Sequence, residues 1–122
     1  MNGKETKQYL IGVDLGTSAT KTILVDENGI IVASASCAYP MYQPENGWAE
    51  QNPLDWKNAA LVTIKEVMKK SGVAAGEVAG IGLSGQMHGL VRLDANNGWV
   101  DEAILWCDQR SSNQTKEMLD LL

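Results

Sequence analysis

At 122 residues, with 44% apolar and 20% charged side chains, the chain is long enough for one folded domain that buries roughly two thirds of its unfolded surface. Its net charge of −5 offers no cationic field to a nucleic-acid backbone or an anionic membrane, although a small phosphate held by amides and a lysine stays open. No apolar run approaches the roughly 20 residues of a membrane span, and two cysteines, Cys37 and Cys107, are too few for a disulfide scaffold or a metal cluster, so a reduced, cytoplasmic domain is expected.

Residues 1–7 are polar and are expected to fray. Residues 8–14 form a short apolar run closed by turn residues, which predicts a buried strand. Residues 15–18 predict a tight turn, and the β-branched run over 19–25 a second strand. Asn28-Gly29 is a strong hairpin signal before a third strand over 30–36, so an antiparallel meander is expected. Residues 40–53 hold three prolines and Gly47 and read as an ordered loop. Asn52 is placed to cap a helix with Pro53 as its first residue. Trp56, Ala60, Ile64, Val67 and Met68 recur at helical spacing, with Lys57, Lys65, Lys69 and Lys70 toward water and Gly72 as the stop. Strands are predicted over 78–84, 90–93 and 103–106, with a turn over 94–98. From Arg110 a helix is expected, with Met118, Leu119 and Leu122 as an apolar stripe that ends mid-pattern. The order β-β-β-α-β-β-β-α is α/β with a mixed sheet rather than an alternating doubly wound fold.

Three segments carry chemistry. In residues 14–18, Asp-Leu-Gly-Thr-Ser, Gly12 and Gly16 permit close approach to the backbone. The turn amides with the Thr17 and Ser18 hydroxyls can cradle an anion, Asp14 can hold Mg²⁺ through water, and Lys21 adds a positive charge. An ordinary hairpin whose aspartate caps its own turn explains the same residues. Gly80-Ile-Gly82-Leu-Ser-Gly85 matches G-x-G-x-x-G, but its glycines lie inside a predicted strand and no helix follows, which excludes a dinucleotide fingerprint. Gln86 stands where a nucleophile elbow needs its last glycine. In Gln86-Met87-His88-Gly89 the only histidine follows a buried strand, at a place where α/β folds bind ligands; taken alone, a lone histidine is more often structural than catalytic. Of four tryptophans, Trp48 and Trp99 are candidates for sugar stacking, with Trp56 expected in a helix core and Trp106 at a strand end. Asp108 and Arg110 either join His88 at one sheet edge or open a helix.

Taken together, residues 9–18, the loop Gly47-Trp-Ala-Glu-Gln-Asn-Pro53, residues 80–91 and residues 103–111 resemble the FGGY carbohydrate kinases, in order and in spacing, and most closely the xylulokinase branch of that family. The resemblance implies an RNase H-like, actin-like ATPase fold, with residues 8–122 as an incomplete N-terminal portion. It implies ATP and Mg²⁺ as cofactors and D-xylulose as the sugar, with gluconate as the alternative substrate. Asp14 would then place the metal and the phosphoryl group, Gly16, Thr17, Ser18 and Lys21 would receive phosphates, and Gln86, Met87, His88, Asp108 and Arg110 would line the sugar site. The family's general-base aspartate and its adenosine site match nothing in these residues, so the chain alone is expected to be inactive, as a binding module or fragment that self-associates. Cys107 stands where that branch carries asparagine.

Overall fold

A computed structural model of the chain describes residues 7–122. All but the last residue of the segment expected to fray lies outside them. The chain divides into two units, Met1–Tyr39 with Trp56–Gly85 and Pro40–Asp55 with Gln86–Leu122.

The first unit is built on the expected meander. Strands β1 (Tyr9–Leu15), β2 (Ala19–Asp26) and β3 (Ile31–Ala38) pair antiparallel. The turn between β2 and β3 is closed by Asp26, whose Oδ1 accepts the amides of Asn28 and Ile30, each at 2.9 Å. Strand β5 (Val78–Gly85) then lies parallel to β1, giving the order β3-β2-β1-β5 and the mixed sheet that was expected. Alternation sorts the side chains between two faces. Ile11, Val13, Thr22, Leu24, Ala33 and Ala35 are buried on one face, while Asp14 and Lys21 pair across β1 and β2 on the other.

Helix α1 (Pro53–Ser71) supplies Ala60, Ile64, Val67 and Met68 to the buried cluster. It starts where the cap was expected, with the Leu54 amide donating to Asn52 Oδ1 at 2.8 Å. It ends at Gly72, whose φ of +69° is the left-handed stop that favours glycine. Thr22 and Thr63 are fully buried, and their hydroxyls bond to each other at 2.7 Å, which satisfies two polar groups that burial would otherwise penalise. Trp56 is partly buried and lies outside the main apolar cluster, so it contributes less to the core than its spacing predicted.

The second unit departs further from expectation. Its sheet is two short strands, β4 (Glu50–Gln51) and β6 (Ala103–Ile104), paired antiparallel. β4 lies inside the segment read as loop, since two polar residues carry no alternation to detect. Residues 90–93 do not form a strand; only single bridges pair Leu90 with Ile104 and Leu93 with Trp99. Ahead of them, Gly85 ends β5, and Gly89 and the left-handed His88 (φ 62°) break the ladder. Leu90, Val91 and Leu93 remain exposed. β6 stops at Ile104, so Trp106 lies beyond the strand it was expected to close. The turn over 94–98 is present, with Asp94 Oδ1 accepting the amides of Asn96 and Gly98. Helix α2 (Ser112–Asp120) begins two residues later than Arg110, because Arg110 N–H is held by Asp108 Oδ1 at 2.9 Å.

Candidate functional site

The 15–18 turn joins β1 to β2, and its ladder register places Asp14 opposite Lys21 on one side and Ser84 on the other. Asp14, Lys21 and Ser84 share a hollow of about 390 Å³ with Gly12, Gly82 and Ile23. The two glycines leave the floor of this hollow without side chains. A carboxylate and an ammonium beside a floor without side chains leave room for a ligand to lie close against the backbone.

Within the turn the Gly16 amide donates to the Ala19 carbonyl at 3.0 Å, so its hydrogen closes the turn. A Cβ at Gly16 would stand 3.0 Å from that carbonyl oxygen, which cannot move without opening the turn. A side chain here would therefore press on the backbone that closes the turn. Ser18 is exposed, and its carbonyl accepts the Tyr39 amide at 3.2 Å. The Tyr39 hydroxyl donates to the Gly16 carbonyl. Tyr39 was not singled out from sequence, since a tyrosine just beyond a strand carries no motif.

Among the described residues no group of three or more His, Cys, Asp or Glu side chains could hold a metal ion. An exposed single carboxylate beside donors suits a hydrated divalent cation that keeps most of its waters and takes its remaining ligands from phosphates.

In the second unit His88, Asp108 and Arg110 come together around a cavity of about 300 Å³, with Leu90, Trp106 and Ser111 on its walls. Gln86 donates through Nε2 to Gln51 Oε1 at 3.0 Å, which ties the start of this segment to a fully buried residue of β4. Met87 is exposed and does not line that cavity.

Asp108 is the best-anchored carboxylate in the unit. Its side chain is 2% exposed. Oδ2 accepts the Ala49 amide at 2.7 Å and Arg110 Nη2 at 2.7 Å, and Oδ1 accepts the Arg110 amide and Nε, each at 2.9 Å. The Arg110 guanidinium and these amides hold the carboxyl at about 2, against the usual carboxylate range. Arg110 in turn reaches Glu50 Oε1 at 3.3 Å and lies 3.7 Å over the Trp48 ring, a cation–π contact. Asp108 thus fastens the 47–50 loop to the chain after β6, and Trp48 serves as a platform for Arg110. Cys107 lines a different cavity of about 640 Å³, with Gln43, Trp48 and Gln109.

Glu102 carries the opposite electrostatics. Its Oε2 is buried and has no hydrogen-bond partner among the described residues. Burial, then the negative charges of Asp55, Glu50 and Asp101, raise its pKa. A raised folded-state pKa means that ionised Glu102 opposes folding once pH exceeds the ordinary carboxylate value of about 4. Glu102→Gln is therefore expected to raise the thermal midpoint at pH 7, with the gain shrinking as pH falls toward 4. Equal midpoints for the two proteins at pH 7 would overturn this.

The sequence profile of the FGGY family of carbohydrate kinases, N-terminal domain, matches residues 9–121. The chain is 46% identical over 113 residues to a xylulose kinase of Bacillus subtilis, covering 93% of this chain and 23% of that protein. In structure it resembles a xylulose kinase from Rhodospirillum rubrum (TM-score 0.88, 27% identity) over 94% of its own length and 24% of that chain. It also resembles a gluconate kinase from Lactobacillus acidophilus (TM-score 0.86, 34% identity) over 93% of its own length and 23% of that chain. The chain thus spans about a quarter of the length of these relatives. No helix of the described residues is long and apolar enough to cross a membrane.

Proposed function

We propose, for a chain that belongs to the FGGY family of carbohydrate kinases, that it serves as the first part of an N-terminal domain in an enzyme transferring the γ-phosphoryl group of ATP to D-xylulose. Its α/β sheet is then a portion of the actin-like ATPase fold of its sugar-kinase neighbours. The observation that supports xylulose over other sugars is the 46% identity to a xylulose kinase over 113 residues, in keeping with the resemblance of Ser84-Gly-Gln-Met-His-Gly89 to that branch. Gluconate is the second reading, favoured by the likeness to a gluconate kinase.

Phosphoryl transfer asks a protein mainly to position the reactants and to neutralise charge. ATP supplies the phosphoryl group, and Mg²⁺ offsets its negative charge. In this reading Asp14 orients the hydrated ion, and Lys21 with the amides and hydroxyls of Thr17 and Ser18 takes up phosphate charge. Gly16 holds the turn tight enough for that approach. Met87 offers an apolar face to the sugar, and His88 with Gln86 offers hydrogen bonds to its hydroxyls. Arg110 has its orientation set by Asp108, Glu50 and Trp48, and with its charge offset by the two carboxylates it serves as a fixed polar wall beside His88.

A chimera tests the substrate. This chain replaces the matching segment of the Bacillus subtilis relative, and ATP consumption is measured with D-xylulose, gluconate and glycerol. D-xylulose is expected to give the highest kcat/KM by at least tenfold. A chimera that prefers gluconate moves the substrate to the second reading, and one inactive with all three overturns the kinase reading.

A further inference from the structure

Resting on the phosphate reading of the 15–18 turn, we propose that Tyr39 is its positioning residue, a clamp that sets the direction of the turn's peptide groups. Tyr39 follows β3, on a different strand connection from the turn it touches, and its ring is buried. It meets the turn twice. Its amide donates to the Ser18 carbonyl at 3.2 Å, and its hydroxyl donates to the Gly16 carbonyl. Thr20, fully buried on β2, donates its own hydroxyl to the Tyr39 oxygen at 3.4 Å, so the phenol is held from behind.

The consequence follows from peptide geometry. In a trans peptide the carbonyl and the next N–H point in opposite directions. Fixing the Gly16 carbonyl on Tyr39 therefore fixes the Thr17 N–H on the opposite side, away from the phenol. Fixing the Ser18 carbonyl does the same for the peptide that leads into β2. The Gly16 amide is already closed onto the Ala19 carbonyl. Tyr39 and that bond together leave the peptides of the turn little freedom to flip. A donor array aimed in advance gains its advantage from needing no reorganisation when charge arrives.

The clamp also requires a protonated phenol. Burial raises the Tyr39 pKa despite the lowering effect of the Thr20 hydroxyl, and Asp14 and Cys37 raise it further. The hydroxyl therefore remains a donor throughout the neutral range. Phenylalanine at this position would keep the ring and its packing and remove only that donor.

The test uses Tyr39→Phe with two readouts. In this chain, amide exchange over residues 16–19 is expected to rise at least tenfold, while the buried amides of Leu24 and Val67 keep their protection. In the chimera with the Bacillus subtilis relative, KM for ATP is expected to rise at least fivefold while KM for D-xylulose stays within twofold. A merely structural tyrosine would lower thermal stability and move neither pattern selectively. If the unsubstituted chimera is inactive, the kinase reading falls and takes the phosphate role of the clamp with it. If that chimera is active and either the exchange or the ATP KM of Tyr39→Phe is unchanged, the clamp alone is overturned.

Discussion

Asp14→Asn, placed in an active chimera of this chain with the Bacillus subtilis xylulose kinase, is expected to lower kcat by about 10³-fold, the scale of losing one preorganised electrostatic group. The substitution preserves shape and removes charge. Asp14 sits at the end of β1, where the ladder to Lys21 and Ser84 is made by backbone groups that asparagine retains. Its side chain is exposed, so the folded state should change by less than about 0.5 kcal/mol, as for an ordinary surface substitution. KM for D-xylulose should hold, because on the proposed reading Asp14 acts at the phosphoryl group and Met87 and His88 act at the sugar. Removing the carboxylate also leaves Lys21 without its neighbour across the strand pair, and that lysine should then attract phosphate without orienting the metal. ATP binding should accordingly weaken much less than turnover. A variant keeping more than a tenth of the parental kcat would remove Asp14 from the reaction.

How far the sequence foretells this site depends on the range over which each signal acts. The β1–β2–β3 meander was legible because alternation and the Asn28-Gly29 turn are local, and α1 because Asn52, Pro53 and Gly72 mark its ends. The Asp14–Lys21 pairing follows from the same tight turn, and its register could be anticipated from a seven-residue spacing. The parallel partner of β1 is of another kind. Ser84 reaches Asp14 only after α1 has carried the chain back, and no local pattern states that register. Leu90, Val91 and Leu93 read as strand because β-branched and apolar residues favour a pleated, half-buried surface. They remain exposed and carry only isolated bridges, so propensity alone did not decide the outcome. Tyr39 escaped notice for a related reason, since its partners on the turn lie about twenty residues away and two of the three contacts involve backbone.

Asp108 shows the same limit in energetic form. Read along the chain, Asp108 and Arg110 are two charges at a sheet edge or a helix start. In the structure both oxygens of Asp108 receive hydrogen bonds, and one donor, the Ala49 amide, comes from 59 residues away. Asp108→Ala is expected to destabilise the fold by about 3 kcal/mol, the lower part of the range for breaking a buried ion pair. The lower part applies because Arg110 keeps Glu50 and Trp48. Asp108→Asn should cost nearly as much, since every group facing the carboxylate is a donor and an amide nitrogen would meet one of them without an acceptor. The pH dependence gives the discriminating measurement. A carboxyl held at about 2 in the folded state, against about 3.9 unfolded, contributes its full stabilisation above pH 4 and loses it as pH falls toward 2. Urea midpoints of the parent and Asp108→Ala should therefore differ most at neutral pH and converge below pH 3. A gap that persists unchanged to pH 2 would mean that packing, and not the charge on Asp108, fastens the 47–50 loop.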